Sequence, residues 1–272
     1  MLKYPHIDPV AVKIGPLKIH WYGIMYLIGF VAGWGLARRR ARRPGSTWSA
    51  PDIDDLIFYC AMGVILGGRL GWCLFYGRDV IAENFLNVFR IWDGGMSFHG
   101  GMLGVLVATL VFARVKHKHP ADVLDFVAPL PGIGLMAGRL GNFINGELWG
   151  KPTTLPWGFA VPTGDGGVIV RHPSQLYEAT LEGLVLFSIL WWFTSKPRPR
   201  LAPTGLFLIV YGLARFAVEW VRLPDANLGY LYGDWLTMGM LLTLPMIAAG
   251  VWMMAYAYRR DQPSGNLAQA KA

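Results

Sequence analysis

The chain has 272 residues, and its composition excludes an ordinary soluble domain. Only 15% of the residues are charged and 54% are apolar, whereas soluble domains carry about 25% charged residues. The apolar residues come in long runs, which indicates a polytopic membrane protein whose helices face lipid. The net charge of +8 could suggest nucleic acid, but the basic residues cluster between the apolar runs and are better explained by membrane topology. We therefore expect no nucleic-acid partner.

Seven apolar runs follow one another, each near the length of about 17–25 residues that a membrane-spanning helix needs. They cover residues 21–37, 56–76, 98–113, 123–140, 176–193, 205–221 and 235–256. The pattern predicts an all-α fold of seven transmembrane helices in a single domain, residues 1–260. A small polar segment, residues 145–173, separates helices 4 and 5. A polar, disordered tail at 261–272 is expected to follow.

Basic residues predict the orientation, because they cluster in alternate loops. The clusters lie at residues 38–43, 114–118, 196–200 and 259–260. Loops rich in Lys and Arg face the cytoplasm. The N-terminus and the 145–173 segment are then periplasmic and the C-terminus is cytoplasmic. The first 20 residues lack the basic start and apolar core of a secretory signal.

The stretch Gly-Arg-Leu-Gly-Asn-Phe-Ile-Asn-Gly-Glu-Leu-Trp-Gly, residues 138–150, is unusual because it directly follows an apolar run. It contains one cation, two carboxamides, a carboxylate and four glycines in thirteen positions. Ionisable residues at this depth indicate function, and glycines let a backbone approach a ligand closely. In the alternative reading, Arg139 extends to the lipid head groups and the glycines only pack helices.

The predicted topology brings further polar residues to the same outer face. Tyr22 opens the first span and His99 opens the third. Arg215, Glu219 and Arg222 lie at i, i+4 and i+7 of the sixth, on one helical face.

Arg215 would lie about 10 Å deep, where an unpaired cation is costly. Glu219 is a plausible partner that cancels its charge only in part, which favours function for Arg215. Glu219 and Arg222 could equally form a structural ladder between helices. Arg69, inside the second span, could join the same group.

Several arginines facing a lipid-accessible cavity favour an anion, and the abundant anion at that depth is a phospholipid phosphate. A histidine without metal-binding partners suits general base catalysis. The spacing of Cys and His residues predicts no metal site, and we expect no cofactor. Cys60 and Cys73 are interpreted as packing residues.

These residues resemble the bacterial prolipoprotein diacylglyceryl transferase family over nearly the whole chain. The motif at 138–150 is similar to the family signature almost letter for letter. The resemblance extends to four further motifs, at residues 20–23, 92–101, 171–178 and 215–225. One departure is a methionine at 240, where the family pattern suggests glutamine, which puts a polar role at that position in doubt.

The resemblance implies an inner-membrane enzyme that transfers a diacylglyceryl group from phosphatidylglycerol to the lipobox cysteine of a prolipoprotein. Glycerol phosphate leaves, and no cofactor takes part. The catalytic residues implied are His99, Arg139, Arg215 and Tyr22. Those implied to bind phosphatidylglycerol are Arg139, Asn142, Glu147, Gly150, Arg215, Glu219 and Arg222.

Some roles and rival functions stay open at this stage. His99 could be the base that takes the thiol proton, or it could only orient the lipid head group. A transporter or channel could also line an anion path with arginines, but the sequence contains no internal repeat and its polar residues crowd one side of the membrane. A non-catalytic protein that binds lipid or signal peptides is the other alternative.

Overall fold

The computed structural model describes residues 2–91, 94–163, 166–224 and 229–266, and these are predominantly helical. Trp92, Asp93 and Asp225, which belong to the motifs above, lie outside the described residues. The chain divides into two compact units. The first comprises Met1–Leu36 and Val127–Pro263, and the second comprises Ala37–Phe126 and Ser264–Ala272. Each unit is described below by itself.

The helices and strands follow one another in this order along the chain. In the first half they are β1 (Leu2–Lys3), β2 (Val10–Ile14), β3 (Leu17–His20), α1 (Trp21–Ala41), α2 (Ala50–Phe75), α3 (Arg78–Glu83), a 3-10 helix (Phe85–Phe89), α4 (Phe98–Val115), α5 (Pro120–Val127) and α6 (Pro131–Ile144). In the second half they are β4 (Phe159–Pro162), β5 (Val168–Arg171), α7 (Ser174–Glu178), a π-helical segment (Ala179–Val185), α8 (Leu186–Phe193), α9 (Ala202–Glu219) and α10 (Met238–Arg260).

Among the described residues, five helices are long and apolar enough to cross a membrane. They are Ala50–Phe75, Phe98–Val115, Ser174–Phe193, Ala202–Glu219 and Met238–Arg260. The third of these joins α7, the π-helical segment and α8 into one helix. A sixth span is obtained if α5 and α6, which are bent by 47° at the break between them, are counted together. The polytopic helical fold is therefore confirmed.

The count of seven transmembrane helices stays a prediction, and α1 is the reason. This helix has 21 residues, which is long enough to cross a bilayer. It ends in Arg38, Arg39 and Arg40, and it is absent from the helices that meet the apolarity requirement.

In the first unit, glycines let the helices that carry the candidate site approach closely. A methyl group added at Gly183 would lie 2.6 Å from Cβ of Met136, and one at Gly132 would lie 2.8 Å from the carbonyl oxygen of Gly183. The π-helical segment therefore packs directly on α6. On the other side, Gly205 of α9 and Gly250 of α10 make a similar contact. Small residues are the usual means of close helix packing in lipid.

The segment at 145–173, whose fold the sequence left open, contains a small β-sheet. Strands β4 and β5 pair antiparallel, and β1 adds to β4 in parallel. The hydroxyl of Tyr4, just after β1, donates to the carbonyl oxygens of Phe143 and Ile144 at the end of α6, both at 2.8 Å. The sheet is thereby fixed to the helix that carries the Gly138–Gly150 motif.

In the second unit, α2 and α4 touch through their backbones. A methyl group at Gly104 would lie 2.0 Å from the carbonyl oxygen of Gly63, and one at Gly100 would lie 2.3 Å from that of Gly67. Beside this contact the two helices line a largely apolar groove of about 760 Å³. A larger side chain at any of these glycines would force the helices apart.

Residues 264–266, which the sequence assigns to the tail, bind to α5 and to the loop just before α2. The backbone N–H of Gly265 donates to Oδ1 of Asp122 at 2.9 Å, and the indole of Trp48 donates to Oδ1 of Asn266 at 2.8 Å. Residues 267–272 lie outside the described part of the chain.

Candidate active site

The first unit contains a chain of ion pairs that joins α6, the helix beginning with α7, and α9. Arg139 of α6 contacts Oε2 of Glu178 through Nη2 at 2.8 Å. Arg215 of α9 reaches the same oxygen through Nη1 at 3.2 Å. One carboxylate oxygen therefore bridges the two arginines that the sequence predicts to be catalytic.

Arg215 extends the chain along α9. Its Nη2 contacts Oε1 of Glu219 one turn away, and Nη1 of Arg222 lies 3.6 Å from that same oxygen. The other oxygen of Glu219 accepts a hydrogen bond of 2.6 Å from the hydroxyl of Thr237. The predicted i, i+4, i+7 face of Arg215, Glu219 and Arg222 is thus a connected set of side chains.

The carboxylates of this cluster are more deeply buried than its arginines. Glu178 and Glu182 are 0% exposed and Glu219 is 2% exposed. The side chains of Arg139 and Arg215 are 18% and 14% exposed. The arginine side chains are therefore the more accessible members of the cluster.

The sequence argument for Arg215 was wrong in one respect. It assumed that one carboxylate cancels the arginine charge in part, but three carboxylates contact it. Besides Glu178 and Glu219, Oε1 of Glu182 lies 3.5 Å from Nη1 of Arg215. Burial of an arginine in an apolar protein selects for such partners.

The loop that leaves α6 is closed by its own polar residues. The amide of Asn142 donates to Oε1 of Glu147 at 2.7 Å, and the backbone N–H of Glu147 donates back to the carbonyl of Asn142 at 3.1 Å. Asn145, for which the sequence suggested no specific role, donates more weakly to the same Glu147 oxygen at 3.4 Å. Asn142 and Glu147 therefore shape the loop together.

Gly150 joins this loop to the end of α9. Its N–H donates to the carbonyl of His172 at 2.9 Å, and the next N–H, of Lys151, donates to the carbonyl of Val221 at 2.8 Å. A methyl group at Gly150 would lie 2.5 Å from the carbonyl oxygen of Val221. Only glycine allows this approach, which fixes the loop next to Arg222.

Tyr22 lies near the start of α1 against α6. A methyl group added at Gly141 would lie 2.9 Å from its ring, so this glycine provides the space for the tyrosine. The Tyr22 hydroxyl pairs with that of Tyr26 at 3.3 Å. Its electrostatic neighbours include Arg139 and Glu147, which places it beside the predicted site residues of α6.

His172 and Tyr177 form a polar pair at the entrance to α7. Nδ1 of His172 lies 3.3 Å from the Tyr177 hydroxyl, which accepts a hydrogen bond of 2.8 Å from the Trp157 indole. Burial lowers the pKa of His172 from its ordinary value. This pair connects the sheet-bearing segment to the helix that carries Glu178.

His99 belongs to the second unit. It lies in the first turn of α4, after the N-cap residue Ser97, whose hydroxyl accepts from the N–H of Gly100 at 3.2 Å. It is exposed and lines one end of the groove between α2 and α4.

The suggestion that Arg69 joins the arginine group is replaced by a different role. Its guanidinium donates to the carbonyls of Val88 and Asn87 at 2.9 and 2.7 Å and also to those of Gly94 and Gly95. Arg69 therefore holds the loop that leads into α4 within the second unit.

Sequence reasoning missed four residues of the cluster. Glu178 lies at the end of the quoted 171–178 motif but was given no role, and Glu182 follows it at i+4. Thr237 supplies a polar contact near the start of α10, because its hydroxyl donates to Glu219. Met240 supplies none, because its side chain is apolar and fully buried. A methyl group at Gly239 would lie 2.5 Å from Oε1 of Glu219, so this glycine provides the space for the carboxylate.

Comparison with known proteins gives a consistent result over nearly the whole chain. The family model of prolipoprotein diacylglyceryl transferase matches residues 9–256. A phosphatidylglycerol–prolipoprotein diacylglyceryl transferase of Coxiella burnetii (strain RSA 331 / Henzerling II) is 56% identical over 96% of this chain and 100% of its own length.

Two further proteins of that name show nearly the same similarity. The one from Pseudomonas aeruginosa (strain LESB58) is 56% identical over 96% of this chain and 97% of its own. The one from Nitratidesulfovibrio vulgaris is 57% identical over 93% of this chain and 95% of its own. The chain belongs to the prolipoprotein diacylglyceryl transferase family.

Proposed function

We propose that the arginine–glutamate cluster of the first unit binds the phosphate of phosphatidylglycerol and is the centre of the reaction. The chain is a transferase of lipoprotein biosynthesis that moves the diacylglyceryl group of phosphatidylglycerol to the lipobox cysteine of a prolipoprotein. The thiol sulfur forms a bond to a glyceryl carbon, and the bond from that carbon to the phosphate oxygen breaks. Glycerol phosphate leaves with the bonding electrons.

The change of charge during this step explains the arginines. The phosphodiester carries one negative charge, and the departing monoester carries about 1.5 to 2 at neutral pH. Cations next to the phosphate bind more strongly as that charge develops, and only such differential binding accelerates the chemical step. We assign this stabilisation to Arg139 and Arg215.

A single observation carries the proposal: Arg139 and Arg215 converge on one anionic oxygen, Oε2 of Glu178, at 2.8 and 3.2 Å. Two guanidinium groups from different helices are thereby held at the separation that a phosphate oxygen would bridge. Each guanidinium has five N–H donors, so each can bind the phosphate while one donor stays on Glu178.

The thiol proton has to leave the lipobox cysteine during attack, and His99 is the proposed acceptor. A thiol has a pKa near 8.5 and a histidine near 6.5, and the difference corresponds to about 2.7 kcal/mol. The proton would therefore move in the transition state rather than before it. Replacing His99 with Gln should lower the rate and remove the part of the pH–rate profile that reports the ionisation of the base. If the rate and the profile are unchanged, His99 is not the base, and its role is restricted to orienting the lipid head group.

We further propose how the chain lies in the bacterial inner membrane. Seven helices cross it, with α1 counted as the first, the N-terminus periplasmic and the C-terminus cytoplasmic. Residues 1–260 serve one catalytic activity, and the site opens toward the periplasmic side, where a prolipoprotein presents its lipobox after translocation. The basic clusters between the apolar runs support this orientation.

The test is the release of glycerol phosphate by purified protein given phosphatidylglycerol and a lipobox peptide. Arg139→Ala and Arg215→Ala should each lower turnover by about 10²–10³-fold, the usual effect of removing a group that stabilises transition-state charge. Arg259→Ala, an exposed arginine in the last turn of α10, is the matched control and should behave as the wild type.

Near-normal turnover in either site variant would contradict the assignment of its arginine. Binding of phosphatidylglycerol by the wild-type protein without any turnover would instead favour a non-catalytic lipid-binding role.

A further inference from the structure

The 171–178 motif contains two buried polar residues, Ser174 and Gln175, to which the proposed site gives no role. They are the first two residues of α7, and both are 0% exposed. Serine is a preferred residue for capping the start of a helix, but the N-cap position of α7 is occupied by Pro173. The polar groups of Ser174 and Gln175 are instead directed at another part of the chain.

Their partner is the loop that leaves α6. The hydroxyl of Ser174 donates to the carbonyl oxygen of Leu148 at 2.7 Å, and the side-chain amide of Gln175 donates to the carbonyl oxygen of Glu147. Residues 147–150 are irregular backbone, so their carbonyl groups depend on hydrogen-bond donors from elsewhere in the chain. The Ser174–Gln175 pair supplies two of these donors, to two consecutive carbonyls.

These two hydrogen bonds fix the backbone conformation of Leu148. The carbonyls of Glu147 and Leu148 belong to the two peptide groups on either side of the Leu148 Cα atom. Because each peptide group is planar, the orientation of the two groups determines φ and ψ of the residue between them. The Ser174–Gln175 pair therefore holds both dihedral angles of Leu148.

The conformation held in this way is one that an L residue rarely adopts. Leu148 has a φ of 59°, in the left-handed region, where the Cβ atom makes the backbone unfavourable. Such a conformation persists only where the surroundings impose it, and it is found most often at functional sites. The Leu148 side chain is 43% exposed, so its own packing contributes little to the turn.

The turn at Leu148 determines where the neighbouring carboxylate of Glu147 lies. Glu147 is exposed and accepts the amide of Asn142 at 2.7 Å. The peptide carbonyl of Glu147 is the group that Gln175 binds, so the pair acts on this residue through its backbone. A turn that relaxed to an ordinary φ would move the carboxylate away from Asn142.

The same turn of helix also holds the arginines of the site. Glu178 lies four residues after Ser174 and three after Gln175, which places it on the same side of the helix. Its Oε2 contacts Arg139 and Arg215. One rigid helical turn therefore sets the position of the loop relative to both guanidinium groups.

We propose that Ser174 and Gln175 are positioning residues for the binding of phosphatidylglycerol. They hold the turn at Leu148 and thereby place the Glu147 carboxylate next to the arginine cluster. The inference rests on the proposed function and adds the residues that order its lipid-binding loop. Neither residue contacts the substrate, so the whole effect passes through Glu147.

Steady-state kinetics separate positioning from folding. Gln175→Met keeps the length of the side chain and removes the donor. A displaced Glu147 binds the head group less well, so the KM for phosphatidylglycerol should rise about tenfold. The kcat and the KM for a lipobox peptide should stay within about threefold of the wild type, since only binding of the lipid is weakened. A loss of folded protein would lower kcat at an unchanged KM, and an unchanged KM for phosphatidylglycerol overturns the proposal.

A matched pair of serines provides the control. Ser174→Ala should raise the KM for phosphatidylglycerol as Gln175→Met does, and it carries the same tests if the methionine variant does not fold. Ser188, farther along the same continuous helix, is exposed and donates to the carbonyl of Leu184 at 2.8 Å. Ser188→Ala removes a similar hydrogen bond away from the loop and should match the wild type in both constants. Equal effects of the two alanine variants overturn the proposal.

A double variant tests whether the effect passes through Glu147. If it does, adding Gln175→Met to Glu147→Ala should leave the KM for phosphatidylglycerol within about threefold of that of Glu147→Ala alone, because the residue being positioned is already absent. Independent roles would multiply the two effects on KM. A full further rise in the double variant therefore overturns the proposal.

Hydrogen exchange of the backbone tests the loop without reference to catalysis. The N–H of Glu147 donates to the carbonyl of Asn142 at 3.1 Å, and that of Gly150 donates to the carbonyl of His172 at 2.9 Å. Both amides should exchange about tenfold faster in Gln175→Met than in the wild type, because the loop opens more often. Equal exchange in the two proteins overturns the proposal. If the wild-type protein does not turn over phosphatidylglycerol, the proposed function fails, and exchange still decides whether the pair holds the loop.

Discussion

Two arginines, the buried Arg69 in the second unit and the partly buried Arg215 in the first, have opposite surroundings. The donors of Arg69 are directed at backbone carbonyls of residues 87–95, and its side chain also lies over the ring of Trp72 at 5.1 Å. The donors of Arg215 are directed at the carboxylates of three glutamates. Both arginines are satisfied, but by groups of very different chemistry.

The difference separates a structural arginine from one suited to binding. Backbone carbonyls cannot change charge or rotate away, and Arg69 uses nearly all of its five donors on them, so it has little capacity for a ligand. Carboxylate side chains can rotate and can bind protons. An anion can therefore compete for Arg215, and the charge around it can adjust to that anion.

Among the substitutions that test this comparison, the largest effect is expected from Arg215→Lys, which keeps the charge and removes the fork of donors. A lysine ammonium is a point charge that cannot span Glu178 and Glu219 as a guanidinium does. We expect kcat to fall by about 100-fold, in the range found for loss of one transition-state donor. Single-turnover measurements of glycerol phosphate release will test this. A variant within threefold of the wild type would mean that charge alone suffices and would weaken the contrast with Arg69.

The corresponding change in the second unit, Arg69→Lys, should act on stability. Lysine has three donors and cannot reach the carbonyls of Val88, Asn87 and Gly95 together, so buried carbonyls lose their partners. Each hydrogen bond to a charged group is worth about 1.5–3 kcal/mol, and we expect a loss of about 2–3 kcal/mol in unfolding free energy.

Reversible denaturation in detergent will measure this loss. Arg78→Lys is the matched control, because Arg78 is exposed and donates one hydrogen bond to a carbonyl, that of Leu74. Its effect should stay within about 0.5 kcal/mol. Equal stability of the Arg69 and Arg78 variants would contradict a structural role for Arg69.

This pair of arginines also indicates how far the sequence could predict the site. The i, i+4, i+7 spacing on one helix was sufficient to group Arg215, Glu219 and Arg222, because helical geometry alone determines which of these side chains share a face. For Arg69 the sequence shows only that the residue lies inside an apolar run. That position does not tell whether the partners of the arginine are backbone carbonyls or carboxylates.

The glutamates of the helix that begins with α7 were missed for a related reason. Glu182 lies in an apolar run, and Arg215, which it contacts, belongs to a different helix, α9. Such pairs depend on which helices pack together, and no periodicity along one helix encodes that. The small sheet at 145–173 was unpredictable likewise, since its third strand, β1, comes from the N-terminus.

The smallest expected effect comes from Thr237→Val, which removes a hydroxyl and little volume. The hydroxyl donates to Glu219 at 2.6 Å and, as the N-cap of α10, accepts from the N–H of Met240 at 3.1 Å. Loss of an N-cap costs about 0.5–2 kcal/mol, and an unsatisfied Glu219 holds Arg215 less firmly. We expect a stability loss of about 1 kcal/mol and a fall in kcat of about threefold to tenfold, equivalent to about 0.7–1.4 kcal/mol.

Thr237→Ser keeps the hydroxyl and is the matched control for both measurements. If the contact with Glu219 matters, the serine variant should recover stability and rate together, because serine caps a helix as well as threonine does. Recovery of stability without recovery of rate would restrict Thr237 to capping α10. The ordering of Arg215 would then depend on the carboxylates of Glu178, Glu182 and Glu219, without a contribution from the Thr237 hydroxyl.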